Sequence, residues 1–474
     1  MPEPRVVILG GGPAGVGAAR QLRRTGKAQV VLLEARDGFG GNSGSFEAAG
    51  QHLDYGSHRL HPACDPAIMA DIQELLGPDL LDRPRHGRIR MLGKWIHFPL
   101  KPHDLLLRLD KRFALGVLRD MLEKTLPGSP EQGDTFASVL HAKLGPTICE
   151  NFYYPYATKL WGLSPQRIAG EQARRRVAAG SFRKLLYKVL NSVPALRRPG
   201  AGRFFYPARG YGQISEAFAS AAAQAGADMR LGWRMTRIEA TRGGASAWRV
   251  TARRGDESET FSADQLWSTI PITLLARAMD PEPDAQVLEA AGAIEYRSMI
   301  LIYLHMPIEH FSEYDAHYFP SSRTRISRMS EPKIYADRSE PGNTTVLCAE
   351  LPCSKQDEVW KLSDAELGRI VAEDLEREDI PLPAAPIEVF TRRLPQAYPI
   401  YHLGFEAPFR ALDQWADDTP GLLSYGRQGL FTHDNTHHAL AMAYAAVECL
   451  NGSVFDEELW RQHRQQFTSF IVED

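Results

Sequence analysis

A short β-branched run at Arg5–Leu9 (RVVIL) reads as a buried parallel strand, and behind it Val16, Ala19 and Leu22 recur at helical spacing. A glycine-rich turn separates the two rhythms. A second apolar run, Gln29–Leu33, predicts another strand. Further along, LLLRLDKRFALGVLRDMLEKTL repeats leucine every three or four residues and predicts helix, whereas IEYRSMILIYLHM, starting at Ile294, predicts a long strand that opens a sheet. Residues 439–450 again carry a helical pattern.

At 474 residues the chain exceeds what one hydrophobic core sustains, so several packed units are expected. Its 43% hydrophobic and 24% charged content and its net charge of −3 suit a soluble globular enzyme and give no global field for nucleic acid. Five scattered cysteines without CxxC spacing predict neither a disulfide framework nor a zinc site. No stretch of about eighteen apolar residues and no leader-like segment is present, which predicts a cytoplasmic protein without an integral membrane segment.

The turn after the first strand is GGGPAGVG. Gly10 allows the tight bend, Gly12 lets backbone N–H groups approach a pyrophosphate, and Gly15 lets the helix that Pro13 and Ala14 open pack against the strand, its positive end facing the phosphates. Glu34 ends the second strand about twenty residues on, where a carboxylate accepts hydrogen bonds from ribose hydroxyls. The residues that follow, ARDGFGGNSGS, place Ala35, Arg36, Gly40, Gly41 and Asn42 directly after that acid. This stretch resembles the ExRxxxGG signature of the FAD superfamily that includes amine oxidases, protoporphyrinogen oxidase, carotenoid desaturases and UDP-galactopyranose mutase. The resemblance implies a chain that passes close to the ribityl and pyrophosphate region of FAD. The flavin is expected to be held non-covalently, since no His or Cys lies in a recognisable attachment motif.

Later segments extend the resemblance. Residues 204–214 (FFYPARGYGQI) resemble the superfamily's YPxGGxxxL stretch, and residues 264–271 (DQLWSTIP) its return to the sheet. Residues 425–431 (YGRQGLF), with Gly426 and Arg427, are similar to the element whose following helix points its N-terminus at the flavin and favours the anionic reduced ring.

Within the superfamily the residues look most like UDP-galactopyranose mutase. DYGSHRLHP (residues 54–62) resembles its GxHxxHT-type loop, so that Gly56 and Ser57 would border the cofactor and His58 would lie over the isoalloxazine, tuning the reduced flavin or relaying a proton near neutral pH. NFYYPYATKLWG resembles the mutase's tryptophan helix and puts Trp161 against a substrate ring. IEYRS, TRISRMSEPK and AYPIY are similar to three further mutase segments. Carried over, they imply a diphosphate-binding set of Arg325, Tyr398 and Tyr401, with one arginine of the Arg174, Arg175 and Arg176 run, assigned to Arg175. His58 and Arg325 are the implied catalytic residues.

Two departures stand out. Eleven Lys or Arg face a single acid, Glu171, between Arg167 and Arg209. Such a block reads as a solvated lid face, a funnel for a polyanion, or a patch resting peripherally on anionic lipid. Near the C-terminus THDNTHH replaces the mutase's KYYDMH; its paired histidines lack metal-ligand spacing, and no metal is expected.

The expected fold class is α/β, α+β overall: a discontinuous Rossmann-like FAD domain (residues 1–97, 204–293 and 402–474), a helical cap (98–203) and an antiparallel sheet layer (294–401). The partner is a small molecule between cap and sheet. Two chemistries stay open, a redox-neutral rearrangement of an anionic nucleotide sugar as in the mutase, and a net oxidation as in amine or protoporphyrinogen oxidases.

Overall fold

The computed structural model describes residues 3–98, 108, 110–123, 133–176, 202–241, 247–339 and 341–472. Most of the basic segment 167–209 and parts of the expected cap therefore lie outside the described residues.

Strand Arg5–Leu9 forms the middle of a five-stranded parallel sheet, between Gln265–Ser268 and Gln29–Leu33, with Leu422–Ser424 and Asp228–Arg230 at the edges. Four distant parts of the chain thus build one sheet. Both of its faces are covered, which is why these strands are continuously apolar and do not alternate. On one face, Val16 and Leu22 of helix Pro13–Arg24 pack with Phe218 of helix Gln213–Gln224 and with Leu440 and Ala443 of helix Thr436–Cys449. On the other, Val7, Leu9 and Leu266 meet Trp248, Val250 and Ile238 of a smaller four-stranded sheet.

The long strand Tyr296–Met306 lies inside a seven-stranded sheet and is buried on both faces. Met299, Leu301 and Tyr303 face the cap helices, where Trp161, Phe136 and Leu140 pack. Ile300, Ile302 and Leu304 face helix Asp364–Arg377, which Ser363 opens with a capping box to Glu366. The sheet differs from the expected antiparallel layer in two ways. Strands Gly87–Met91 and Lys94–Phe98, from the segment expected in the cofactor domain, extend it, and Gly87–Met91 pairs in parallel with Ala316–Tyr318. The hairpin leaves the nucleotide unit because its own apolar residues, Ile89, Met91 and Ile96, pack with Phe98, Phe152 and Tyr318.

Among the described residues no helix is long and apolar enough to cross a membrane.

Candidate functional site

The glycine turn separates into two kinds of position. Gly10 has φ +100°, and a Cβ there would stand 2.5 Å from Thr269 Oγ1; a Cβ at Gly15 would overlap the Gly10 carbonyl oxygen. These two glycines answer to protein packing. A Cβ at Gly12 would meet nothing within 4 Å, so that glycine faces open space at the start of helix Pro13–Arg24. The doublet closes over the same space: Gly40 N–H donates to Gly11 O (2.8 Å), and Gly41, at φ +55°, comes within 3.4 Å of the Gly12 Cα measured from its missing Cβ. Gly426 sits on Ala14, since a Cβ there would be 2.8 Å from the alanine methyl.

Glu34 is buried and accepts from Gly11 N (2.6 Å) and Arg36 N (2.8 Å). Arg36 braces the turn by donating to Gly41 O (2.7 Å) and Asn42 Oδ1 (3.2 Å), and Asn42 in turn donates to Gln396 O (3.1 Å). A backbone cradle at a helix N-terminus with a carboxylate at the next strand end fits the pyrophosphate and ribose of FAD. His58 fits beyond it, its ring stacked on Tyr211 at 5.4 Å. Tyr211 is fixed by Asp54, which accepts its N–H (2.8 Å) together with Ser45 Oγ and Tyr206 OH (2.6 Å each).

Burial pushes the His58 imidazole down to about 3, helped by the charges of Arg328 and Arg427 and opposed by the Gly56 carbonyl. The ring is therefore neutral at physiological pH, the form in which the sequence reading expects it to act.

The expected substrate set divides. Tyr398 is half-buried, with the guanidinium groups of Arg176 and Arg427 at 5.2 and 5.3 Å from its ring and His433 stacked at 6.1 Å. Arg175 lies beside them, bonded through Nε to Glu171 (2.6 Å) and close enough to Tyr401 and Asp434 for their charges to act on it. Arg427 donates to Ala397 O (2.9 Å), and its buried Nε has no hydrogen-bond partner among the described residues. Of the other three, Tyr401 reaches this cluster with its ring, edge-on to His433 at 5.1 Å, and two lie elsewhere. Trp161 is core, edge-on to Phe136 at 5.4 Å. Tyr401 is 2% exposed, flat against Phe405 (4.1 Å), with its hydroxyl committed to Phe431 O (2.8 Å). Arg325 is 52% exposed and turns toward Glu373 on the far side of the sheet.

Arg328 takes the place expected for Arg325. It is held by Glu350 and acts electrostatically on His58, Tyr318, Tyr398 and Tyr156. Four guanidinium groups, of Arg175, Arg176, Arg328 and Arg427, thus gather around Tyr398, His433 and His58. No local signal in the sequence marks Arg328: that it opposes an acid, Glu350, follows only from the pairing of the two strands.

A sequence-family profile described as flavin containing amine oxidoreductase matches residues 13–444. The chain belongs to the flavin-containing amine oxidoreductase family. Its cofactor is FAD. The protein named "Putative flavin-containing monoamine oxidase AofH" of Mycobacterium tuberculosis is 30% identical over 271 residues, 54% of this chain and 55% of that one, so the match spans about half the length of that relative. In structure the chain is similar to reduced UDP-galactopyranose mutase (TM-score 0.80, 20% identity, 98% of both chains). It is also similar to putrescine oxidase bound to putrescine (TM-score 0.64, 18% identity, 94% of this chain and 98% of that one). At these identities the likeness is one of fold.

Two predictions arise from this family member's cofactor site. Glu34→Ala would remove the acceptor expected for the ribose hydroxyls and leave the N–H groups of Gly11 and Arg36 without their carboxylate. Hydrogen bonds to a charged acceptor are worth about 1.5–3 kcal/mol, so titration of apoprotein with FAD should show roughly a ten- to hundredfold weaker Kd. An unchanged Kd would detach Glu34 from the cofactor.

The second concerns acid. Burial lowers His58 and His438 to about 3, His437 to about 4, and His433 well below its ordinary value. Each ring takes up a proton in the unfolded chain near pH 6.5 but not in the native one. The stability these rings contribute is present above that pH and is lost as pH falls through 6 toward 4. Asp54 and Asp417, each raised to about 6 chiefly by burial, work the other way, while His317, lowered to about 3, acts with the four. The Tm should therefore fall steadily between pH 6.5 and 4; a flat profile would mean these rings are charged in the native protein.

Proposed function

We propose that this flavoenzyme acts on an anionic substrate, a phosphorylated or nucleotide-linked sugar, in a rearrangement of the UDP-galactopyranose mutase type. The observation that carries this reading is the gathering of Arg175, Arg176, Arg328 and Arg427 around one half-buried tyrosine. Glu171 and Glu350 compensate two of these charges, and Asp434, whose carboxyl burial pushes up, accepts a hydrogen bond from Thr432. Arg176 and Arg427 carry the remaining positive field. A cationic amine entering it would be repelled, while a diphosphate would find planar donors matched to its oxygens. Such a field disfavours the amine substrates that the family name suggests.

FAD, when bound, supplies a ring that can take up a hydride or, once reduced, act as a nucleophile. The chain's own groups do the rest. Gly12 and the helix N-terminus hold the pyrophosphate, Glu34 the ribose, and the arginines orient the anionic end of the substrate. His58 stays neutral beside the reacting region and offers a hydrogen bond there. The family match keeps a second reading in view, net oxidation at the same site.

The test is a titration of oxidised and dithionite-reduced holoenzyme with UDP-galactopyranose and with putrescine. Tighter binding of the nucleotide sugar to the reduced form is expected. Bleaching of oxidised flavin by putrescine would overturn the proposal, and bleaching by the nucleotide sugar would keep anion recognition while replacing rearrangement by oxidation. Arg176→Met should weaken nucleotide-sugar binding roughly tenfold, the loss of one charge-assisted bond. Arg325→Ala should leave it unchanged, since that side chain points away.

A further inference from the structure

Glu350 stands opposite Arg328 in the antiparallel pair of strands Thr345–Cys353 and Arg328–Ser330. Its side chain is 5% exposed, and the carboxylate serves two partners. Arg328 donates from Nε at 3.0 Å and from one terminal nitrogen at 2.7 and 2.9 Å. Ser57, from the loop of the nucleotide-binding part, donates its backbone N–H to the same Oε1 at 2.9 Å. Arg328 then returns to that loop, donating to the Ser57 carbonyl at 3.2 Å.

Both backbone groups of Ser57 are thereby held by one ion pair. The preceding Gly56 has φ +95°, and its missing Cβ would lie 3.3 Å from Glu350 Oε1 and 3.6 Å from Leu301 Cδ2. The loop thus approaches the carboxylate as closely as backbone allows. The next residue is His58.

A buried ion pair is a poor stabiliser, because desolvation offsets most of its Coulomb gain. A pair that only stapled two strands would also have no use for an amide from a loop some three hundred positions away. We propose that Glu350 is a positioning residue: a single carboxylate fixes the His58 loop and balances the charge of Arg328, and so sets both the place of the imidazole and the field at the flavin. This rests on the reading that the His58 loop borders the cofactor, and it is independent of the substrate class.

The experiment compares Glu350→Leu, Glu350→Gln and Glu350→Gln/Arg328→Met holoenzymes by amide hydrogen exchange of residues 54–60 and by flavin midpoint potential. Leucine removes charge and acceptor together, so exchange across Ser57 should rise roughly tenfold, the loss of one charge-assisted hydrogen bond. Glutamine keeps an acceptor for the Ser57 N–H but removes the charge. Loop exchange should then stay near that of the parent protein, while the uncompensated Arg328 favours the anionic reduced flavin. The expected rise is roughly tenfold in the reduced-to-oxidised ratio, about 30 mV for a two-electron couple. The double variant, which removes both charges, should return the potential toward the parent value. Unchanged exchange in a folded Glu350→Leu protein, or an unchanged potential in Glu350→Gln, would overturn the proposal; should the leucine variant not fold, the glutamine potential decides alone. If UDP-galactopyranose fails to bind, both readouts are unaffected, which separates this inference from the proposed reaction.

Discussion

Gly12→Val should yield a folded protein that carries no flavin. The valine side chain would enter space in which no protein atom lies within 4 Å of the added Cβ, so the apoprotein has nothing to clash with. The same space is the one proposed for the pyrophosphate, and its backbone N–H groups are reachable only past a hydrogen. Visible absorbance should vanish while far-UV circular dichroism and the apoprotein Tm stay near those of flavin-stripped parent protein. Gly15→Val is the contrasting case. There the Cβ overlaps the Gly10 carbonyl oxygen, helix and strand must separate, and the fold itself should fail. Normal flavin occupancy in Gly12→Val would remove the cradle from the account of this site.

The second large effect is at His58. Burial and two neighbouring arginines keep its imidazole neutral, so the role proposed for it is that of a fixed hydrogen-bonding group. Removing one preorganised donor from a water-poor site costs roughly a hundred- to thousandfold in rate. His58→Ala should accordingly retain FAD, alter its visible spectrum, and slow turnover of UDP-galactopyranose about a hundredfold. The loss should be the same from pH 6 to pH 8, because no titration of this ring falls in that range. A spectrum and rate equal to those of the parent would make the residue structural, a partner for Tyr211 and nothing more.

What the sequence discloses depends on how locally each feature is determined. The glycines of the first turn, Glu34 and the Gly40–Gly41 doublet are legible because strand, turn and helix follow within forty residues and their spacing is fixed by backbone geometry. Arg325 is misread for a reason that lies far away in the chain. Asp374, on a helix across the sheet, accepts the N–H groups of Arg325 and Ile326 at 2.6 and 3.0 Å, so the segment is still a turn there and the strand begins only at Arg328. A three-residue offset turns the face, and Arg328 faces the site instead. Tyr401 is lost similarly. Its strand ends at Pro399, after which Phe405 and Phe431 draw the ring into the core, while Tyr398, three positions earlier, keeps the orientation of the strand. The hairpin of residues 87–98 pairs with Ala316–Tyr318, more than two hundred positions on, and no local pattern marks that choice.

The seating of Gly426 on Ala14 also bears on biosynthesis. The two residues stand more than four hundred positions apart, and the strand and helix around Gly426 supply an edge of the parallel sheet and one of the helices covering it. On the ribosome the glycine turn emerges more than four hundred residues before the segment that packs against it at Ala14. Flavin capture must therefore wait on synthesis, and until then the part of the first helix that meets Leu440 and Ala443 is uncovered in the nascent polypeptide.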